Sequence, residues 1–248
     1  MGMHNDVLLE VEDLAVSFNG FRAVDGVNLY VDRGELRVVI GPNGAGKTAL
    51  LDLISGKTRP TEGTLRFDSK SLVGRAENDR VHAGVVRKFQ APSVYENLSV
   101  FENLELTYPS GRGVLGSLLF KRDAVIEQKI RDTAELAGLS DRLGEQAGLL
   151  SHGEKQWLEI AMLLIQDPKL LMLDEPVAGM SQAERDQTVA LLERVRGSCC
   201  IVIIEHDMKF VERIASRVTV LEQGKVLSEG SLDHVKKDER VIESYLGH

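Results

Sequence analysis

The sequence predicts an α/β fold: a mainly parallel sheet with flanking helices, an N-terminal antiparallel β region and an inserted helical subdomain. Three observations predict it. Apolar runs of strand length recur along the chain, the run at Leu36–Ile40 ends directly on a glycine-rich loop, and strand, helix and strand alternate between Leu170 and Ile204. A strand, a crossover helix and a second strand in succession indicate parallel pairing.

The first part of the chain carries strand patterns on both sides of the glycine-rich loop. Apolar and polar residues alternate before the loop, which is typical of antiparallel strands with one buried face. Lys47–Ser55 then has the pattern of a helix that Gly56 closes. The strands predicted here are Leu8–Glu12, Ala15–Phe18, Val27–Val31, Leu36–Ile40, Thr64–Phe67 and Val85–Phe89.

Between Pro92 and Asp167 the pattern becomes helical. Asp123 can cap one helix, Gly138 can end it, and a second helix follows at Gly153–Gln166. The first of these helices is expected to bury Ile126, Ile130, Ala134 and Ala137. Strands resume at Leu170–Leu173 and Ile201–Ile204, with the helix Gln182–Arg196 between them. We therefore expect one domain, with residues 1–91 and 168–248 forming the β region and core and residues 92–167 forming the helical subdomain.

Composition excludes several classes of protein. Lysine and arginine total 30 against 38 acidic residues, a net charge of −8 over 248 residues, which argues against a broad nucleic-acid-binding surface. Apolar runs are far shorter than the roughly 20 residues that a membrane span needs. The N-terminus has no apolar core, and the adjacent Cys199 and Cys200 fit buried thiols of a reducing compartment. We expect a soluble cytoplasmic protein.

The glycine-rich loop has the spacing of a phosphate-binding loop. Residues 41–48 fit G-x-x-x-x-G-K-[ST], with an apolar strand before and a helix after. Glycines let backbone N–H groups turn toward phosphates, Lys47 can reach the β- and γ-phosphate oxygens, and Thr48 can offer its hydroxyl to Mg²⁺. The expected contacts of a nucleoside triphosphate are Gly41, Pro42, Asn43, Gly44, Ala45, Gly46, Lys47, Thr48 and Ala49.

Polar residues follow other strands at the same expected edge of the sheet. Asp174 ends an apolar strand, where a carboxylate can hold Mg²⁺. Glu175 comes next and can polarise an attacking water, since phosphoryl transfer depends mainly on positioning and charge stabilisation. His206, at the end of the following strand, can contact a γ-phosphate, and the amide of Gln90 can sense metal or water. We expect Lys47, Glu175 and His206 to be catalytic, and Thr48, Gln90 and Asp174 to contact Mg²⁺.

A second motif lies about one helix ahead of the acidic pair. The segment Leu150-Ser151-His152-Gly153-Glu154 resembles the L-S-x-G signature of ATP-binding-cassette ATPases. The whole chain resembles the ATPase subunit of importers in the branched-chain-amino-acid/urea group, because residues 41–48, Gln90, the signature, Asp174-Glu175 and His206 follow the family order. Further stretches similar to this group are Gln156–Ile160, Glu175–Met180, Glu205–Met208 and Val241–Gly247.

The resemblance implies how the nucleotide is held. ATP and Mg²⁺ would be the cofactors, and the signature of one subunit would cover the ATP of another. In that arrangement Ser151, His152, Gly153 and Glu154 bind ATP in trans. Phe18 falls where the family places an aromatic ring on adenine, with Phe21 as the fallback.

Three residues depart from the family pattern. His152 and Glu154 replace a glycine and a glutamine of L-S-G-G-Q, and Ser181 stands where the family usually has an aspartate. We expect the Glu154 carboxylate to point away from the phosphate and His152 to fill space. His152 together with Lys155-Gln156-Trp157 makes the urea-type subunit the nearest resemblance.

The resemblance implies a subunit that couples ATP binding and hydrolysis, at a two-subunit interface, to the uptake of urea. Its partners would be transmembrane permease subunits, a second ABC ATPase (a copy or a homologous chain) and, indirectly, a periplasmic or extracellular solute-binding protein. The chain would lie in the cytoplasm, peripheral on the inner face of the cell membrane. The expected docking stretch is Ala91–Leu106, with the apolar candidates Val94, Tyr95, Val100 and Phe101.

Alternative functions differ in features that the sequence can test. Within transport, the alternatives are a branched-chain amino acid importer ATPase and a lipopolysaccharide-export-type ATPase. A DNA-maintenance ATPase would need long heptad arms between loop and signature, where only about a hundred residues without sustained heptads lie. A ribosome-associated protein would be expected to carry two cassettes, and this chain has one.

Overall fold

The computed structural model describes residues 6–88, 94–109 and 123–246. The chain divides into two compact units. Unit 1 comprises Met1–Arg87, Lys169–Pro176 and Arg196–His248, and unit 2 comprises Lys88–Pro168 and Val177–Val195.

The strands form two sheets. In chain order they are β1 (Val7–Phe18), β2 (Phe21–Asp32), β3 (Leu36–Ile40), β4 (Glu62–Phe67), β5 (Lys70–Ser71), β6 (Val85–Arg87), β7 (Leu170–Asp174), β8 (Cys200–Ile204), β9 (Arg217–Glu222) and β10 (Lys225–Gly230). Within the described ranges, one sheet has the order β2-β1-β4-β5 and is antiparallel. The other has the order β10-β9-β3-β8-β7-β6, and its strands are parallel except for the edge strand β10. The predicted α/β class is confirmed.

The helices of the described residues are mostly short. They are α1 (Lys47–Ser55), α2 (Glu77–Ala83), α3 (Val100–Thr107), α4 (Ala124–Leu136), α5 (His152–Leu164), α6 (Gln182–Val195), α7 (Met208–Ile214), α8 (Leu232–Lys237) and α9 (Glu239–Val241), with 3₁₀ turns at Ser140–Arg142 and Ala147–Leu149 and a π-helical turn at Ile242–Leu246. None of these helices combines the length and the apolar character needed to cross a membrane.

The middle of the larger sheet positions three loops side by side. Strands β3, β8 and β7 are neighbours and are buried at every position, as parallel strands covered on both faces should be. Gly41 follows β3, Glu205 follows β8, and Glu175 follows β7. Because the strands are parallel, these residues emerge at one edge of the sheet, the usual place for ligands in open α/β folds.

Unit 2 is built on α3 to α6. Asp123 caps α4 by accepting a hydrogen bond from Ile126 N at 2.9 Å, and the residues predicted to be buried on this helix are buried. On the signature helix α5, Trp157 Nε1 donates to Thr188 Oγ1 of α6 at 2.9 Å. On α6, Arg194 Nη1 donates to the Glu135 carbonyl at 3.3 Å.

The division of the chain into these two units differs from the predicted domain boundary. The sequence assigned all residues after 168 to the core, whereas Val177–Val195 belongs to the helical unit. The physical reason is that α6 buries its apolar and threonine face against α4 and α5. A crossover helix between two strands of one sheet thus packs on a different unit from the strands that it joins.

Candidate functional site

The phosphate loop between β3 and α1 has a backbone that only glycine can adopt at two points. Gly41 has φ +147° and Gly46 has φ +97°. A Cβ on Gly41 would lie 2.1 Å from the Leu221 carbonyl oxygen, and one on Gly46 would lie 2.3 Å from the Ala23 carbonyl oxygen. The loop is therefore held against the backbone of β2 and β9, and any side chain at these two positions would displace it.

Helix α1 leaves its N-terminus available to an anion. In the described part of the chain no side chain caps α1, and its first turn contains no acidic residue. Lys47 is half-buried, and its Nζ donates to the carbonyls of Gly41 at 2.7 Å and Pro42 at 2.9 Å. Burial lowers the pKa of Lys47, while the nearby carboxylates of Glu175 and Asp174 raise it. Free backbone N–H groups beside a partly desolvated cation make a phosphate site.

Asp174 lies within reach of the phosphate loop. Thr48 Oγ1 donates to Asp174 Oδ2 at 3.4 Å, and Arg87 Nη2 lies 3.5 Å from the same oxygen. Arg87 also forms an ion pair with Asp52 of α1. Burial raises the pKa of Asp174, and the Arg87 charge opposes that shift. The arginine therefore supplies a fixed positive charge to a carboxylate that is only 3% exposed.

Glu175 and His206 come together at the same edge. Glu175 has φ +48°, an uncommon conformation for a residue with a side chain, and its N–H donates to the Ile204 carbonyl at 3.0 Å. His206 Nδ1 lies 3.4 Å from Glu175 Oε1. The buried Glu205 fixes the histidine backbone by accepting from His206 N at 2.9 Å and Asp207 N at 3.2 Å. The left-handed turn after Asp174 thus places the Glu175 carboxylate beside the histidine, apart from the carboxylate that faces Thr48.

The signature segment in unit 2 begins helix α5 with a capping box. Ser151 Oγ accepts from Glu154 N at 3.2 Å, and Glu154 Oε2 accepts from Ser151 N at 2.8 Å. Arg142 Nε donates to Glu154 Oε1 at 3.2 Å. The Glu154 carboxylate is therefore occupied at both oxygens and turned back on its own helix.

The other signature residues contact the segment that ends at the start of α6. His152 Nε2 lies 3.0 Å from the Ala178 carbonyl oxygen. Glu184 Oε1 accepts from Gly153 N at 3.0 Å and Ser151 Oγ at 3.3 Å. His152 is therefore an exposed residue that makes a polar contact.

The remaining predicted residues are placed only in part. Phe18 and Phe21 flank the turn between β1 and β2 and are 48% and 66% exposed. Gln90 lies outside the described residues, as do Ala91, Pro92 and Ser93 of the expected docking stretch. In the rest of that stretch Tyr95 is exposed, Val94 and Phe101 are partly buried, and Val100 is buried. Val100 is fully buried, so the prediction that it lies on an exposed docking surface is wrong.

Two residues of the site were missed from the sequence. Arg87 carries a charge at the end of a buried strand, which is a usable signal because such a charge needs a partner. Glu184 completes S-x-x-E from Ser181, which predicts a capping box for α6 but not the contact with the signature.

A strand–loop–helix with its lysine, followed on the neighbouring strands by an Asp-Glu pair and a histidine, defines a P-loop nucleoside-triphosphate-binding core. Comparison with known proteins gives the family. The family model described as ABC transporter matches residues 24–178. The chain belongs to the ABC transporter family and is one of its ATPases.

Named relatives and solved structures cover nearly the whole chain. The high-affinity branched-chain amino acid transport ATP-binding protein BraF of Pseudomonas aeruginosa is 34% identical over 252 residues, covering 97% of this chain and 98% of that protein. The corresponding protein LivG of Escherichia coli K12 is 35% identical with the same coverage. The crystal structure of the ADP conformation of an ATP-binding cassette of an ABC transporter superposes with a TM-score of 0.85 at 30% identity, covering 98% of this chain and 99% of that one. A nucleotide-free cassette gives 0.83 at 29% identity, covering 98% and 100%.

Proposed function

We propose that this chain is the ATP-hydrolysing subunit of an importer in which ATP is held between two ATPase subunits. The observation that carries the proposal is that Lys47, Glu175 and His206 follow three neighbouring parallel strands, β3, β7 and β8, and lie at the same edge of the sheet. Each of the three has a distinct chemical task in phosphoryl transfer, which depends mainly on positioning and charge stabilisation.

Lys47 exchanges its two loop carbonyls for the β- and γ-phosphate oxygens of ATP. Glu175 orients the attacking water, because its carboxylate is a hydrogen-bond acceptor at the same edge of the sheet and is not committed to Thr48. His206, 3.4 Å from Glu175, holds that carboxylate and reaches toward the γ-phosphate. Phe18, exposed at the end of β1, is proposed to stack on the adenine ring.

The residues at Asp174 fit a magnesium ion. The Thr48 hydroxyl and the Asp174 carboxylate are the hard oxygen donors that Mg²⁺ prefers, and they lie 3.4 Å apart. In the described ranges no group of three or more His, Cys, Asp or Glu side chains is arranged to hold a metal alone. A magnesium site commonly has one or two protein ligands and is completed by phosphate and water. Bound Mg²⁺ would neutralise charge on the phosphates, and Gln90 is proposed as a further contact.

The signature is proposed to act on the ATP of a second subunit. Ser151 Oγ, Gly153 N and the N-terminus of α5 are hydrogen-bond donors with the polarity that a γ-phosphate requires. His152 would add a contact, and Glu154, fixed by Arg142, would support Ser151. The partners are a second ABC ATPase and membrane permease subunits, with a solute-binding protein acting through those permeases. The chain would lie on the inner face of the membrane, with Tyr95 and neighbouring residues contacting the permease.

The proposed solute is a branched-chain amino acid. Both named relatives are branched-chain amino acid transport ATP-binding proteins, and their matches cover 97% of the chain. Urea is the second candidate, favoured by the resemblance of His152 and Lys155-Gln156-Trp157 to the urea-type subunit. The relatives support the amino acid better.

Reconstitution tests both the activity and the solute. The chain, its permease subunits and a second ATPase are assembled in vesicles, and ATP hydrolysis is measured with solute-binding protein plus leucine or plus urea. We expect stimulation by leucine, and a loss of about 100-fold or more in Glu175→Gln with ATP binding retained. If only urea stimulated ATP hydrolysis, the solute would be urea and not a branched-chain amino acid. A wild-type chain that binds ATP and Mg²⁺ but never hydrolyses ATP would contradict the proposed function.

A further inference from the structure

Glu184 of α6 connects two functional segments of unit 2. Its Oε2 accepts from the Ser181 N–H and from the Ser181 hydroxyl, both at 2.8 Å. Its Oε1 accepts from Gly153 N at 3.0 Å and from Ser151 Oγ at 3.3 Å. The cap of α6 requires only Oε2. The other oxygen, Oε1, contacts the signature.

The donors that Glu184 occupies are those proposed to bind the phosphate of the second subunit. A carboxylate at the N-terminus of α5 is favoured by the same free N–H groups and helix dipole that favour a phosphate. Two anions cannot share these donors, because each hydrogen satisfies one acceptor and the charges repel. The pKa of Glu184 is lowered, first by the Ser181 N–H and also by the Gly153 and Ser151 donors, so the carboxylate is ionised at neutral pH.

The contact is close and has a neighbour that reinforces it. A Cβ on Gly153 would lie 2.4 Å from Glu184 Oε1, so the carboxylate rests directly against the glycine. His152 Nε2 meets the Ala178 carbonyl oxygen at 3.0 Å, and a Cβ on Gly179 would lie 3.4 Å from the same nitrogen. The signature is thus tied to residues 178–184 at two points.

We propose that the Glu184 carboxylate is an internal anion that occupies the hydrogen-bond donors of the signature in the single subunit. The γ-phosphate of ATP on the second subunit must displace this carboxylate when the two subunits pair. The inference rests on the proposed function, since it assigns a regulation to the same signature. Residues 178–184 follow Glu175 within ten residues, so release of Glu184 frees the segment that leads away from the proposed catalytic carboxylate.

The test removes the charge while keeping the α6 cap. In Glu184→Gln the amide oxygen can still accept from Ser181, but the NH₂ group cannot accept from Gly153 N or Ser151 Oγ. The substitution is made in the Glu175→Gln background, where ATP is bound without being consumed. Pairing is followed by size-exclusion chromatography against ATP concentration, with the chain alone and mixed with the second ATPase. Glu193→Gln, on the same helix and with the same charge change, is the control.

We expect Glu184→Gln to lower the ATP concentration for half-maximal pairing by about two- to fivefold, the range that one charge at a helix N-terminus is worth. Glu193→Gln should leave it unchanged. A purely structural role of Glu184 would instead weaken pairing or leave it unaltered, and either result overturns the inference while the proposed function stands. If the Glu175→Gln parent never pairs with ATP, the proposed function fails and the inference fails with it.

A second measurement tests the contact without pairing. In the nucleotide-free monomer, hydrogen exchange at the Gly153 amide should be faster in Glu184→Gln than in the wild type and unchanged in Glu193→Gln. Equal exchange rates in all three proteins, with equal melting temperatures, would show that Glu184 does not occupy this amide in solution and would overturn the inference.

Discussion

The N-termini of α1 and α5 are both proposed to bind phosphate, but they differ in the groups that already occupy them. Among the described residues, no side chain caps the first turn of α1, which begins at Lys47 after a left-handed glycine. The first turn of α5 is filled by its own Ser151–Glu154 capping box and by Glu184 from another helix. One N-terminus holds a cation and no anion. The other already holds a carboxylate.

In the proposed function the α1 site is open to phosphate, whereas the α5 site must first release the Glu184 carboxylate. At α1 no side chain caps the N–H groups of the first turn, which leaves this helix end less stable than it could be but open to the proposed phosphate. At α5 the same groups stabilise the isolated subunit. If both helix ends bind phosphate as proposed, binding at α1 replaces no side-chain cap, whereas binding at α5 has to replace contacts that the single chain already makes.

The largest effect is expected where the open N-terminus loses its cation. Lys47→Ala should reduce ATP hydrolysis by about 100-fold or more, because it removes preorganised positive charge from the β- and γ-phosphates. Lys57→Ala is the matched control, since Lys57 lies just past the other end of α1 and is exposed. Steady-state ATPase rates should separate the two variants. Comparable rates in both would remove the phosphate loop from the proposed mechanism.

A smaller effect should separate the glycines of the two N-termini. Gly46→Ala adds a Cβ 2.3 Å from a backbone carbonyl at φ +97°, which should destabilise the protein by about 2 kcal/mol or more. For Gly153→Ala, the three atoms nearest to the added Cβ all belong to the Glu184 side chain, which can swing away. Its cost should be under about 1 kcal/mol, and it should vanish when Glu184→Ala is added, because alanine suits a helix better than glycine.

Thermal unfolding of Gly46→Ala, Gly153→Ala, Glu184→Ala and the double variant Gly153→Ala/Glu184→Ala measures the difference in destabilisation. A cost of Gly153→Ala that persists in the Glu184→Ala background would mean that the carboxylate is not what fills the space above Gly153. Equal costs for Gly46→Ala and Gly153→Ala would contradict the distinction between backbone and side-chain neighbours.

The smallest effect concerns the capping box of α5. Ser151→Ala should destabilise the protein by about 1 kcal/mol, through loss of the bond to Glu154 N. For a chain of this size that corresponds to a fall in melting temperature of roughly 2–4 °C. Ser99→Ala is the matched control because Ser99 and Glu102 form the same capping box on α3. Both variants should have melting temperatures lowered by similar amounts. Only Ser151→Ala should also impair ATP-dependent pairing of the subunits. Impaired pairing in both would reduce Ser151 to a structural role.

Much of unit 1 could be predicted because its signals are local. The strand–loop–helix at Leu36–Ser55 is written in consecutive residues, and the buried strands β7 and β8 are continuous apolar runs. Strands β9 and β10 were not predicted, although β9 backs the phosphate loop at Leu221. The glycines of the loop indicate that something lies close to the backbone, but not which strand.

The sequence by itself determined the family, the order of its motifs and the residue types that contact phosphate, because these depend on spacing along one short stretch at a time. Only the tertiary structure decided that α6 packs with the helical unit, that Arg87 pairs with a carboxylate 87 residues away, and that Glu184 reaches Ser151 across 33 residues. Such contacts depend on how helices and strands pack face to face. No local pattern encodes which polar side chain a packed neighbour will present to a helix end.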